Sequence, residues 1–336
     1  MMSNKPIISI IIPVYNTSPY IVRCLDSIFK QSLNDNIEVI VMEAGSTDNS
    51  LAVLEEYKIL QNSFQIIKHE KRVPLSTSRK VGMNAANGEY IMHLDSDDWL
   101  LDNCLQLLID ELKIFPDVDI HVFNYNVTDA FKKTVEFALI KDELIVNNKI
   151  SVKKYFLSTV WNKVIKRALT QDLIYDQRPV TIEEDLIYSV EIFFKAKKIR
   201  LSRSSFYSYY FNNSSLTKTI ESIHYLEMRV QQLEVINELF TKYNPQNSLR
   251  KFVLNYFEKG IYIELSRIYL YNKMNIGNKD LFIKKLDKVG LLNINSLKRI
   301  TKSLHNKYYC FWSFFLFSGY KHFFGLIFRR IKYRKL

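Results

Sequence analysis

Asp95, Asp97 and Asp98 place three carboxylates within four positions, directly after the hydrophobic run that ends at Leu94. Like charges this close repel unless a cation holds them. A hard divalent ion, Mn²⁺ or Mg²⁺, takes carboxylate oxygens and shares its shell with substrate phosphates. Ser96 keeps the turn short and polar, so that Asp95 and Asp97 point one way and Asp98 is left to cap the following helix. A solvated turn with an N-cap accounts for the same residues, and spacing alone does not separate the two readings. A second acidic cluster, Glu183-Glu184-Asp185, opens a predicted helix, where the helix field favours carboxylates whatever their role. A diphosphate leaving group would need neutralising, and Arg79 and Lys163 are candidates for that work or ordinary surface charges. Gly45-Ser46-Thr47 lacks the lysine and the preceding glycines of a phosphate loop, and no GxGxxG occurs. His93 reads as a packed side chain beside the acidic turn.

These residues sit on a regular alternation of elements. Ile7 to Val14 reads as a buried strand, with Ser18-Pro19 as the cap and first turn of the next helix. Ile21, Leu25 and Ile28 give that helix its apolar face. Strands are predicted over Ile37–Met42, Phe64–Lys68 and Glu89–Leu94, and helices over 49–57 and 75–84. Strand-helix alternation of this rhythm means βαβ units, a mostly parallel central sheet flanked by helices, and ligands bound beyond the carboxyl ends of the strands. Pro13, Val14, Tyr15, Glu43 and the aspartates all fall at those ends. Further on, Leu100 to Leu112 reads as a helix and Ile120 to Phe123 as a strand. Phe137 to Val146 reads as a hairpin or two short strands, and Phe206 to Tyr210 as a last strand. Beyond Thr219 the pattern becomes helical, roughly 221–241, 246–272 and 279–289. The expected division is a catalytic domain over 1–218, a helical domain over 219–296 and a tail over 297–336. Within the first, 1–98 would hold the nucleotide and metal, and 99–218 the acceptor.

The chain of 336 residues carries a formal net charge of +12. Ten Lys or Arg and no acid fall between Lys298 and Leu336, so the excess belongs to one end and a nucleic-acid-binding fold is not expected. Cys24, Cys104 and Cys310 are too few and scattered for a disulfide framework and fit a reducing cytosol. No signal-type leader and no apolar run near 20 residues is seen, which gives the expectation of a cytoplasmic location.

The motifs together resemble the family 2 glycosyltransferases, inverting enzymes of the GT-A fold. The blocks are Ser9-Ile10-Ile11-Ile12-Pro13-Val14-Tyr15-Asn16, Glu38 to Ser50, Ser78-Arg79-Lys80-Val81-Gly82 with Ala86 to Ile91, and Leu94-Asp95-Ser96-Asp97-Asp98. They run in order over about 90 residues. Trp161-Asn162-Lys163 and Glu184-Asp185 extend the likeness. The resemblance implies that Pro13, Val14 and Tyr15 line the base and ribose, that Glu43 binds one of them, and that Arg79 lies near the nucleotide. It implies that Asp95, Ser96 and Asp97 form the DxD site, with Asp97 and Asp95 on Mn²⁺ or Mg²⁺. Asp185 is then the general base. The sequence departs from the family where two aspartates usually stand, here Glu43-Ala44, and at Arg79-Lys80.

The function implied is metal-dependent transfer of a sugar from a nucleotide donor, a UDP-hexose or UDP-N-acetylhexosamine, to a hydroxyl of a lipid-linked or surface polysaccharide glycan. Capsule, O-antigen, lipooligosaccharide and teichoic acid are the acceptor classes it implies. The alternative is a membrane-associated polysaccharide-binding or assembly protein on a degenerate transferase fold, for which Ala44 is the support. A nucleotidyltransferase would need a Gly-rich basic loop after the first strand, and Tyr15-Asn16-Thr17-Ser18 is not one. Twelve aromatics between Tyr308 and Tyr333, mixed with basic residues, read as an interfacial segment on the anionic cytoplasmic face of a bacterial inner membrane. The helices after 220 offer a homodimer surface as readily as a lid.

Overall fold

A computed structural model describes residues 5–31, 36–60, 63–129, 134–137, 142–146, 159–174, 184–211, 222–270, 279–290 and 294–305. The aromatic basic segment from 308 onward lies outside the described residues. The chain divides into two compact units, Met1–Ser214 and Ser215–Leu336.

The first unit is built on one ten-stranded sheet. Its strands are β1 (Ile8–Val14), β2 (Ile37–Glu43), β3 (Phe64–Lys68), β4 (Tyr90–His93), β5 (Trp99–Leu100), β6 (Ile120–Asp129), β7 (Thr134–Phe137), β8 (Glu143–Val146), β9 (Lys163–Lys166) and β10 (Lys198–Phe211). Its helices are α1 (Ile21–Phe29), α2 (Ser50–Leu60), α3 (Leu75–Ala85), α4 (Cys104–Ile114) and α5 (Glu184–Lys195). The strand order is β3-β2-β1-β4-β9-β6-β10-β5, with β7 on β6 and β8 on β10. The parallel pairs are β1 with β2 and β4, β2 with β3, and β6 with β10. The antiparallel partners β5, β7, β8 and β9 are two to four residues long. The sheet is therefore mixed and predominantly parallel, flanked by helices as expected.

Local chemistry explains most of this. Every residue of β1 is buried, as a strand covered on both faces requires. α1 turns Ile21, Cys24, Leu25 and Ile28 inward. α3 lies so close to the sheet that a Cβ on Gly82 would come within 2.5 Å of the Ile11 side chain.

The structure departs from the sequence reading at several points. α1 starts at Ile21, after a turn in which the Thr17 carbonyl accepts from the amides of Tyr20 and Ile21. Ser18 is not its cap: Tyr20 stands at the cap position, with no side-chain cap hydrogen bond. α4 starts at Cys104, since Trp99–Leu100 pairs with Ser208 and Tyr207 as a strand. Of the two readings of Phe137 to Val146, a pair of short strands is the one found: β7 and β8 do not pair with one another, and each joins a different long strand. β10 begins eight residues earlier than expected, at Lys198, with register shifts between Ser202 and Tyr207.

The second unit contains α6 (Ser222–Tyr243), α7 (Asn247–Leu270), α8 (Lys279–Val289) and α9 (Ile294–His305). Leu233, Ile236, Leu239, Phe257, Ile261, Leu286 and Ile300 are buried within it. The buried Glu258 of α7 accepts from Ser296 Oγ at 3.0 Å and Arg299 Nη2 at 3.3 Å, both on α9. α9 has no counterpart among the elements read from sequence.

Candidate active site

Arg79 is the centre of the constellation. It sits on α3, 2% exposed, and its guanidinium meets three carboxylates. Nη2 donates to Asp95 Oδ1 at 2.9 Å, and Nη1 donates to Glu184 Oε1 at 3.0 Å and to Asp185 Oδ1. The turn after β4 and the start of α5 are thus joined through one side chain, although their acidic residues lie about 90 positions apart in sequence. Burial pushes Asp95 upward from the usual carboxylate range while Arg79 opposes the rise. Glu184 is pushed up to about 7 by burial, with Arg79 again pulling the other way.

The acidic turn closes with the Asp98 amide donating to the Asp95 carbonyl at 3.0 Å. Asp98 does not cap α4. Its carboxylate is 1% exposed and accepts from Tyr207 Oη at 2.5 Å and from the Tyr210 amide at 2.6 Å, both on β10. The Asp95 amide in turn donates to Tyr207 Oη at 3.2 Å. Burial raises Asp98 far above its ordinary value, with Asp97 and Asp95 adding to the rise. Ser96 is buried within the turn. Asp97 is half-buried, and burial together with the Asp95 charge raises it to about 6. Its backbone carbonyl accepts from Arg23 Nη2 at 2.8 Å. That guanidinium lies over the rings of Trp99 at 3.9 Å and Tyr210 at 4.5 Å.

Lys163, on β9, is buried rather than a surface charge. Its Nζ donates to the Thr159 carbonyl and, at 2.8 Å, to Asn162 Oδ1. Burial lowers it to about 7, and the charge of Asp185 holds it up against that fall. His93 is a packed residue as expected: fully buried, with Nε2 3.3 Å from Tyr188 Oη.

Pro13 and Val14 are buried at the end of β1, and Tyr15 emerges half-exposed. The loops after β1 and β2 are laced together. The Asn16 amide donates to Ser46 Oγ at 3.1 Å, and the Thr47 amide donates to Asn16 Oδ1 at 2.7 Å. Glu43 is 3% exposed, and its carboxylate accepts from the amides of Gly45 at 3.2 Å and Ser46 at 2.6 Å. Ala44 is buried beside it.

No group of three or more His, Cys, Asp or Glu side chains that would hold a metal occurs among the described residues. Asp95 and Asp97 nevertheless fit a hard cation that takes its remaining ligands from substrate phosphate and water. Asp97 is raised first by burial and then by the Asp95 charge, with Arg23 pulling the other way, and a cation on the two carboxylates would offset that repulsion.

Comparison with known proteins assigns the family. The model of glycosyl transferase family 2 matches residues 9–194, more than half the chain. The chain belongs to that family. It is 29% identical over 222 residues to the uncharacterized glycosyltransferase EpsJ of Bacillus subtilis, covering 63% of each chain. It is 26% identical over 291 residues to a cholesterol galactosyltransferase of Borreliella burgdorferi, covering 81% of this chain and 78% of that one. The chain thus spans under two thirds of the length of EpsJ. Among solved structures, S. aureus TarS 1–349 in complex with UDP superposes with a TM-score of 0.61 at 19% identity, over 88% of this chain and 82% of that one. At that identity the likeness is one of fold.

Arg79, Asp95, Glu184 and Asp185 are brought together; Lys163 is electrostatically close to Asp185; Tyr15 follows β1 and Glu43 ends the neighbouring β2. The sequence reading missed Arg23, the role of Tyr207, and Arg72, whose guanidinium lies 4.6 Å over the Tyr15 ring. An isolated arginine carries no periodic or motif signal, and Tyr207 meets Asp98 across 109 residues, so only the fold reveals these three contacts.

Proposed function

We propose that this chain is an inverting glycosyltransferase that moves a sugar from a nucleotide donor, a UDP-hexose or UDP-N-acetylhexosamine, to a hydroxyl of a lipid-linked or surface polysaccharide glycan. The observation that carries the reading is Arg79 joining Asp95 to Asp185. In inverting transfer one base is needed, with the donor's anomeric carbon held between base and leaving group. Asp185 takes the proton from the acceptor hydroxyl. The acceptor oxygen forms its bond to the anomeric carbon as the bond to the diphosphate oxygen breaks and its electron pair leaves with the diphosphate. Arg79 holds the Asp185 carboxylate in place while also pairing Glu184, and Lys163 adds positive charge beside it. Asp97 and Asp95 would hold Mn²⁺ or Mg²⁺, which supplies neutralisation of the leaving diphosphate. Pro13, Val14 and Tyr15 line the nucleoside, Ser96 shapes the acidic turn, and Glu43 orders the turn that faces the ribose. The division into a donor part over 1–98, an acceptor part over 99–218, a helical domain over 219–296 and a tail belongs to the same proposal. So does attachment of that tail to an anionic cytoplasmic membrane face. The TarS structure with bound UDP supports the choice of donor class.

The test is a donor screen with the purified chain and Mn²⁺, following release of UDP, GDP, CMP or dTDP. Metal-dependent release from one donor is expected. Asp185→Asn should lower the rate about 10²- to 10⁴-fold while the melting temperature is held. Nucleotide binding without turnover in the presence of glycan acceptors would favour a polysaccharide-binding or assembly protein, the reading supported by Ala44.

A further inference from the structure

Asp98 is the third carboxylate of the acidic turn, and β10 occupies both of its oxygens. Oδ2 accepts from Tyr207 Oη at 2.5 Å and Oδ1 from the Tyr210 amide at 2.6 Å. The same Tyr207 oxygen accepts from the Asp95 amide at 3.2 Å. A phenol has one proton to give and lone pairs to receive with, so this one hydroxyl ties the last residue of the turn to the first. Tyr207 is wholly buried, and its ring lies flat on Trp161, with 4.6 Å between centres and 18° between planes. Tyr209 stacks on Trp161 as well, at 5.6 Å and 12°. The backbone adds a second tie, because Tyr207 pairs with Leu100 and Ser208 with Trp99, directly beyond Asp98. The oxygen that clamps the turn is therefore itself fixed by a strand and by a stacked ring.

We propose that Tyr207 is a positioning residue for the metal turn, and that Asp98 is the anchor it holds rather than a third ligand to the cation. This rests on the metal-dependent sugar-transfer reading above and adds to it the group that sets the ligand geometry. A hard cation takes its carboxylates at fixed distances, so the path of the backbone between Asp95 and Asp97 decides how well both reach it. With the hydroxyl in place, the two ends of the turn are held to one point. Asp97 is held between them, its carbonyl on Arg23. Without the hydroxyl, the Asp95 amide and Asp98 Oδ2 both lose that partner inside a buried site, and the turn is free to relax away from its ligand geometry.

The test is a Mn²⁺ titration of the full chain with UDP present, followed by electron paramagnetic resonance. It compares the wild type with Tyr207→Phe, Asp98→Asn, the double variant and Trp161→Phe. Tyr207→Phe keeps the stacked ring, removes only the hydroxyl, and should weaken Mn²⁺ about tenfold. Asp98→Asn should weaken it to a similar extent, and the double variant scarcely further, because the two side chains act as one unit. Trp161→Phe controls for loosened packing: it should lower the melting temperature and leave Mn²⁺ affinity near that of the wild type. Losses that add in full in the double variant would make Asp98 a ligand in its own right and overturn the proposal. Equal weakening by Trp161→Phe and Tyr207→Phe would reduce the hydroxyl to packing and overturn it as well. Unchanged affinity in Tyr207→Phe would do the same, with metal binding itself left standing. Should Tyr207→Phe fail to fold, Asp98→Asn set against Asp97→Asn decides. Loss of an anchor weakens Mn²⁺, loss of a ligand abolishes its binding, and abolition by both variants overturns the proposal. A wild-type chain that binds no Mn²⁺ would bring down the metal-dependent reading first, and this one with it.

Discussion

Arg23 shows how far a metal-type turn is held from outside itself. It reaches from α1 to the Asp97 carbonyl at 2.8 Å, with Trp99 and Tyr210 under its plane. Both rings flank the turn in the fold, so the guanidinium pins the segment between them. Residues behind a ligand commonly set metal affinity as strongly as a ligand does. Arg23→Met keeps the stem and removes the donor. It is expected to weaken Mn²⁺ binding, read by electron paramagnetic resonance, roughly tenfold. Unchanged Mn²⁺ affinity would reduce Arg23 to packing. At this scale the sequence disclosed the residues that stand in motifs, Asp95, Asp97 and Glu184-Asp185, and named Arg79 without its partners. Arg79 meets Glu184 and Asp185 across separations of 105 and 106 residues. No local pattern encodes a contact of that range. Asp98 was misassigned for the same reason, since its partners Tyr207 and Tyr210 come from a strand 109 and 112 positions away.

At the scale of elements, α5 and β9 bring two buried groups of opposite sign to the same edge of the site, and their titrations oppose one another. Glu184 stands at about 7 in the fold against an ordinary 4.5. Between those values the unfolded chain has lost a proton that the folded chain keeps. Glu184's contribution is therefore fully present below pH 4.5 and is lost as the pH rises towards 7. Lys163 stands at about 7 against an ordinary 10.5, so between those values the unfolded chain holds a proton the folded chain lacks, and stability rises with pH. Melting temperature against pH should dip near 7. Glu184→Gln should flatten the limb below the dip, and Lys163→Met the limb above it. A wild-type curve with no dip would contradict both placements. The packing of α3 gives an independent prediction. Gly82→Ala improves helix propensity yet drives a methyl to within 2.5 Å of Ile11. Urea unfolding should show a net loss of about 1–3 kcal/mol, overpacking outweighing propensity. Elements with strong periodicity were legible in sequence: β3 appears over Phe64–Lys68 as read, and α3 within a residue. β5 was not, because two residues carry no period. The length of β10 was hidden by its register shifts and by the serines at 202, 204 and 205, which interrupt alternation.

For the whole molecule, the charge excess gathered after Lys298 calls for a test on the intact chain. A deletion of residues after Lys307 is expected to move the protein from the membrane fraction to the supernatant, and to abolish binding to vesicles containing anionic lipid. Unchanged fractionation would sink the membrane reading while leaving the catalytic one intact. No described helix is long and apolar enough to cross a membrane. The position of β10, between β6 and β5 in the sheet, has a consequence in time as well as in space. A ribosome delivers Asp98 109 residues before the tyrosine that holds its carboxylate. At roughly 5–20 residues per second that is a wait of about 5–20 s. During it the residues of β1 to β4 and the whole aspartate motif have been made, while Asp98 has no Tyr207 to donate to it. Newborn chains thus carry the aspartate motif before they possess the site, which matures only when β10 arrives.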